Sequence, residues 1–120
     1  MDELPIIQKT YDLLQYYIPI LNRLPRDWKY NLGDRIINRL YDFLETLLTA
    51  QFQKDKLAQL THLNASLTVL RYQARLLLDF QLINLKRYEY LITKLDDVGT
   101  DLGAWIKHQQ RKANSHETLR

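Results

Sequence analysis

The side chains able to hold a metal or move a proton are few, and their spacing suits neither task. A metal site in a helical bundle needs converging carboxylates and imidazoles, typically a Glu-x-x-His pair on an inward face. The histidines stand at positions 62, 108 and 116, and none of Glu3, Glu45, Glu89 or Glu117 has a histidine three residues on. With no cysteine in the chain there is no thiol nucleophile, no thiolate ligand and no disulfide. Asp96 and Asp97 are adjacent, so on a helix they point about 100° apart. They read as a solvated face, not an acid/base pair. The three glycines, at 33, 99 and 103, form no phosphate loop. The sequence therefore predicts no catalytic residue, no metal ligand and no cofactor, and a protein that is not an enzyme.

Cationic chemistry is better represented. Arg35 and Arg39 are one helical turn apart, as are Arg71 and Arg75, so each pair shares a face. Lys86 and Arg87 follow a predicted turn. Such groups can neutralise phosphates, and Arg35, Arg39, Arg71, Arg75, Lys86 and Arg87 are the candidate contacts for nucleic acid or an acidic partner. Asp34, Asp42 and Asp79 are placed to compete for them. The formal charge is +3. Lys107, Arg111, Lys112 and Arg120 against Glu117 account for all of that excess, so the basic character lies in the tail and in local patches.

The elements that must position these residues are helical. Hydrophobic residues make up 46% of the 120, while Gly and Pro number three each, too few for the turns of a β-sandwich or barrel. Leu4, Ile7, Tyr11, Leu14, Ile18 and Leu21 make a first stripe at heptad-like spacing. Pro5 suits a first turn and Pro19 should kink the last one. Leu24-Pro25-Arg26-Asp27 breaks the helix, and Asn31 is a candidate cap for the second. The second stripe is Leu32, Ile36, Leu40, Phe43, Leu47 and Ala50. After a polar connection over 51–56 comes the third: Leu57, Leu60, Leu63, Leu67, Leu70, Ala74 and Leu77. A turn over 81–84, with Asn84 as cap, leads to Leu85, Tyr88, Ile92, Leu95, Gly99, Leu102 and Ile106.

Four amphipathic segments with short connections predict an all-α, up-down-up-down antiparallel four-helix bundle. It should occupy residues 1–110, followed by a basic tail over 111–120 that frays after about Gln109. No apolar run approaches the ~20 residues of a membrane span. The acidic N-terminus does not read as a signal peptide, which fits a cytoplasmic protein. Tyr16, Tyr17, Ile37, Tyr41, Leu78, Phe80 and Leu91 fall beside the stripes, and an apolar margin of that kind suits a protein contact. Gly99 and Gly103 form a small-x-x-x-small pair that allows close helix approach, either within the core or between subunits.

The order of these features resembles a known family. The chain carries Pro5-x3-Lys9-x-Tyr11-Asp12-Leu13 and, further on, Tyr30-Asn31-Leu32-Gly33-Asp34-Arg35-Ile36. It then has Leu70-Arg71-x3-Arg75, Tyr88-Glu89-Tyr90 and Gly99-x3-Gly103-Ala104-Trp105-Ile106-Lys107. Over about residues 4–108 this resembles the accessory variability proteins (Avd) of diversity-generating retroelements, within the wider four-helix family related to ribosomal intervening-sequence proteins. Ala104 departs conservatively from a glycine common at that position. The resemblance implies a homopentameric barrel of four-helix bundles that binds the retroelement reverse transcriptase. It also implies RNA or DNA contact through a basic surface, in support of mutagenic retrohoming. On that reading Tyr17, Ile37, Tyr41, Gly99, Gly103 and Trp105 are the candidate subunit contacts. The alternative is a structural four-helix module of the intervening-sequence type with other partners.

Overall fold

Pro5 opens the first helix where its missing N–H costs nothing, and the helix α1 (Pro5–Asn22) continues through Pro19. The computed structural model describes residues 4–118. After α1 come a single turn α2 (Arg26–Trp28), a π-helical turn (Lys29–Gly33), and the helices α3 (Asp34–Ala50), α4 (Leu57–Asp79) and α5 (Leu85–Thr118). Four long helices and no strand are present among the described residues, an all-α four-helix bundle.

Neighbouring helices run antiparallel around the bundle. Lys9 and Tyr16 of α1 meet Asp101 and Tyr90 of α5, so the two helices run in opposite directions. Arg39 of α3 meets Ser66 of α4, and Arg71 of α4 meets Asp96 of α5. The 34 residues of α5 should span about 51 Å at 1.5 Å per residue, which accounts for the 57 Å long axis of a rod only 24 × 23 Å across.

The core stripes of α3 and α4 fall where the periodicity places them: Ile36, Leu40, Phe43, Leu47 and Ala50 face Leu60, Leu63, Leu67, Leu70, Ala74 and Leu77. A fully buried Leu or Phe contributes about 1.5–3 kcal/mol over an exposed one. The stripe of α1 is rotated from the expected one. Its buried residues are Ile6, Ile7, Thr10, Leu13, Leu14, Tyr17 and Leu21, while Leu4 and Tyr11 remain 37% and 49% exposed. Two heptad-like seams overlap in this segment, and packing against both α3 and α5 selects the one running through Thr10 and Tyr17. On α5 the buried seam is Leu91, Leu95, Val98 and Leu102, and Leu85 is exposed.

Two turns depart from the sequence-based expectation. Helical structure resumes at Pro25, whose carbonyl accepts hydrogen bonds from Trp28 and Lys29 N–H at 2.9 Å. Asn31 therefore caps nothing: its side-chain amide donates to the Asp27 carbonyl and its Oδ1 accepts from Leu32 N–H. The turn is held onto the bundle by Trp28 against Phe80, with ring centroids 4.7 Å apart. At the far end, α5 continues as a helix to Thr118, past the loss of periodicity near Gln109. Gln110, Arg111, Lys112 and Ala113 are good helix formers and extend a helix already nucleated by the bundle.

The turn between α4 and α5 is held from both sides. Leu82 N–H reaches the Leu77 carbonyl at 2.8 Å and Gln81 N–H the Leu78 carbonyl at 2.9 Å, a Schellman motif. Asn84 caps α5 as its type predicts, accepting from Arg87 N–H at 2.8 Å.

Candidate functional site

The antiparallel topology places the C-terminus of α1, the α2 turn, the N-terminus of α3, the C-terminus of α4 and the N-terminus of α5 at one end of the rod. The segments that form this end are rich in cations. Residues 23–35 and 71–89 carry Arg23, Arg26, Lys29, Arg35, Arg71, Arg75, Lys86 and Arg87 against Asp27, Asp34, Asp79 and Glu89, and Arg71 reaches Asp96 just beyond them. Arg23, Arg26 and Lys29 were not among the sequence-based candidates. They share no helical spacing with the others; the turn region that carries them is held beside the C-terminal end of α4 by Trp28 against Phe80. Aromatic rings are interleaved with these charges: Tyr30 and Tyr72 are exposed, and Tyr88 is half-buried.

The two arginine pairs occupy different surroundings. Arg71 and Arg75 lie between α4 and α5 with Tyr72 and Tyr88, lining a shallow depression of about 170 Å³. Both are engaged, Arg71 Nε with Asp96 Oδ1 at 3.1 Å and Arg75 Nε with Asp79 Oδ2 at 3.4 Å. These pairs are largely exposed and so exchangeable, since surface ion pairs contribute about 0–1 kcal/mol. Arg35 and Arg39 lie on the opposite side of α4, in a cleft of about 460 Å³ between α3 and α4. Among the described residues neither has a carboxylate within ion-pair distance, and the expected competition from Asp34 and Asp42 does not occur. Arg39 Nη1 donates to Ser66 Oγ at 3.1 Å. Lys86 and Arg87 are exposed in the first turn of α5.

The expected subunit contacts divide. Tyr17 is fully buried in the core of its own chain, as is Leu91, so neither can meet a second copy from the surface. Burial pushes the Tyr17 phenol well above the ordinary tyrosine range. Gly99 is filled from within: a Cβ there would stand 2.7 Å from Arg71 Nη2 and 3.0 Å from Leu67 Cδ2. It admits a neighbouring helix of the same chain, the core alternative for this glycine. Gly103, by contrast, has no described atom within 4 Å of the position a Cβ would take, apart from its chain neighbours and its own helix backbone. Tyr41 is 47% exposed and lines an apolar groove with Tyr11, Leu14, Ile18, Pro19 and Leu44. Ile37 is half-buried against the core. Trp105 is also half-buried, with Lys56 Nζ 5.6 Å from its ring centroid.

No group of three or more His, Cys, Asp or Glu is placed to hold a metal ion among the described residues. No described helix is long and apolar enough to cross a membrane. Fold and surface together define a four-helix bundle whose available chemistry is charge and apolar contact. The chain belongs to the bAvd-like family, whose model matches residues 4–109. That family is an accessory, non-catalytic kind of protein, and an Avd-type accessory role holds at the family level. No curated protein matches the sequence.

Proposed function

We propose that this protein is a non-catalytic accessory subunit of a diversity-generating retroelement. It works in the cytoplasm as a homo-oligomer, a pentamer, that binds the reverse transcriptase together with its template RNA or the cDNA during mutagenic retrohoming. The carrying observation is the end of the rod built from segments 23–35 and 71–89, which supply eight cations against four carboxylates and carry the exposed Tyr30 and Tyr72. Positive charge tracking a strand, with aromatic rings to stack on its bases, is the arrangement used by proteins that hold single strands without strong sequence preference. The membership in the bAvd-like family supports the accessory role. The apolar groove around Tyr41 and the unfilled space at Gly103 support a self-association surface.

Two measurements test the proposal. The solution mass by light scattering should be near five times 14.4 kDa and insensitive to salt. Single-stranded oligonucleotide affinity should fall steeply with salt, and an Arg71→Ala/Arg75→Ala variant should lower the slope by about one per lost phosphate contact. A salt-independent monomer that neither binds oligonucleotide nor co-purifies with a reverse transcriptase would leave a structural interaction module instead.

A further inference from the structure

The cleft between α3 and α4 is built unlike the rest of the basic surface. Its α3 wall carries Arg35, Asn38, Arg39 and Asp42, and its α4 wall carries His62, Ser66 and Gln73. The α3 positions lie within a turn of one another, and His62, Ser66 and Gln73 follow at one and two turns on the facing helix, so the polar rows confront each other beside the buried Phe43 and Leu63. Three features mark it as a seat for a ligand. Arg39 Nε is buried and has no acceptor among the described residues. Gln73 Oε1 is likewise buried without a donor. Ser66, which is only 6% exposed, fixes the Arg39 guanidinium through Nη1. A buried charged donor left unmet is costly, and a fold that keeps one oriented has a place for an acceptor.

We infer that this cleft seats one nucleotide unit, its phosphate held by Arg39 Nε and Arg35 and its base lodged toward Asp42, Phe43 and His62. The ligand class rests on the nucleic-acid reading above, while the location rests on the cleft alone. Charge distribution along the cleft sets the polarity. Arg35 and Arg39 stand at one half. Asp42 stands one turn beyond Arg39, about 4.5 Å along the helix at 1.5 Å per residue, on the side of the cleft away from Arg35, where its carboxylate accepts from an amino group of the base. A planar guanidinium presenting Nε and a second nitrogen side by side matches phosphate oxygens in a way an ammonium does not. The cleft, about 460 Å³, is of the size that encloses a small ligand.

The test follows the arginine Nε–Hε signals of the isotopically labelled full chain by NMR during titration with three probes. These are inorganic phosphate, nucleoside monophosphates and a short single-stranded oligonucleotide. The Arg39 signal should shift saturably with each probe, at the lowest concentration for the oligonucleotide. Arg39→Gln and the exposed Arg35→Gln should each weaken oligonucleotide binding at least tenfold, and Arg39→Lys should not restore it. Should Arg39→Gln fail to fold, Arg35→Gln carries the affinity arm. An oligonucleotide that binds while the Arg39 signal stays still overturns the cleft and leaves the nucleic-acid reading standing. Phosphate and mononucleotides that shift Arg39 where no oligonucleotide binds support the seat, identify a free nucleotide as its source, and overturn the nucleic-acid reading. No shift with any probe overturns the seat, with the buried Nε then met by water.

Discussion

Gly99 of α5 lies directly under Arg71 of α4, where a Cβ would come within 2.7 Å of the Arg71 Nη2 atom. The same guanidinium reaches Asp96 one turn earlier on α5, at 3.1 Å. The glycine thus makes room for the arginine that bridges the two helices. Because the nearer neighbour is the free end of a long side chain, Gly99→Ala displaces it cheaply. Leu67 Cδ2, at 3.0 Å, must also yield slightly. Alanine brings back up to ~1 kcal/mol of helix propensity, so G99A should change stability by less than about 1 kcal/mol in urea unfolding. Gly99→Leu should destabilise by about 1–3 kcal/mol through overpacking.

Gly103 gives the opposite expectation. Its surroundings are open, so Gly103→Ala should stabilise the chain by about 0.5–1 kcal/mol through propensity alone. If the open space receives a second copy, Gly103→Leu will lower the solution mass while circular dichroism stays helical. An unchanged mass would place the subunit contact elsewhere.

Gln81 holds φ at 62°, the left-handed region that glycine adopts without strain. It occupies the position after the cap in the Schellman turn closing α4. Gln81→Gly should therefore raise stability by about 0.5–1 kcal/mol, measured as a shift of the urea midpoint at constant slope. A lower midpoint would show that the glutamine side chain contributes more than its backbone costs.

The Tyr17 hydroxyl is buried and makes no hydrogen bond among the described residues. Tyr17→Phe should accordingly change neutral-pH stability by no more than about 1 kcal/mol. The alkaline limb is different. The folded phenol ionises well above the ordinary range, so the unfolded chain loses its proton first, near pH ~10. The contribution is complete below that pH and declines above it by about 1.4 kcal/mol per unit. Thermal melts above pH ~10 should fall less steeply for Tyr17→Phe than for the parent.

Asn84 is the one side-chain cap anticipated from its type that the structure retains, through Arg87 N–H at 2.8 Å. Asn84→Ala should cost about 1 kcal/mol, and Asn84→Ser or Asn84→Asp should recover most of it. Equal losses for all three would mean the amide acts through something other than the cap.

Much of the architecture is legible in residue order. On α3 and α4 the structure buries the stripes that the spacing marks, with Leu40, Phe43, Leu63 and Leu70 facing inward. The polar run over 51–56 and the Asn84 cap mark two of the connections. The family resemblance was carried by local motifs for the same reason, since spacing along one helix survives without knowledge of its neighbours. Two overlapping periods in α1 could not be ranked from sequence: Tyr11 and Tyr17 each fit a seam, and burial between α3 and α5 selected Tyr17. The open space at Gly103 and the filled space at Gly99 look identical as text, because only a neighbouring helix distinguishes them. The basic end of the rod and the α3–α4 cleft belong to the same category. Arg26, Arg35 and Arg87 are far apart along the chain, and Arg39 and Gln73 lie on different helices. Helical periodicity relates residues within one helix, whereas these groupings arise from which helices pack together and at what rotation.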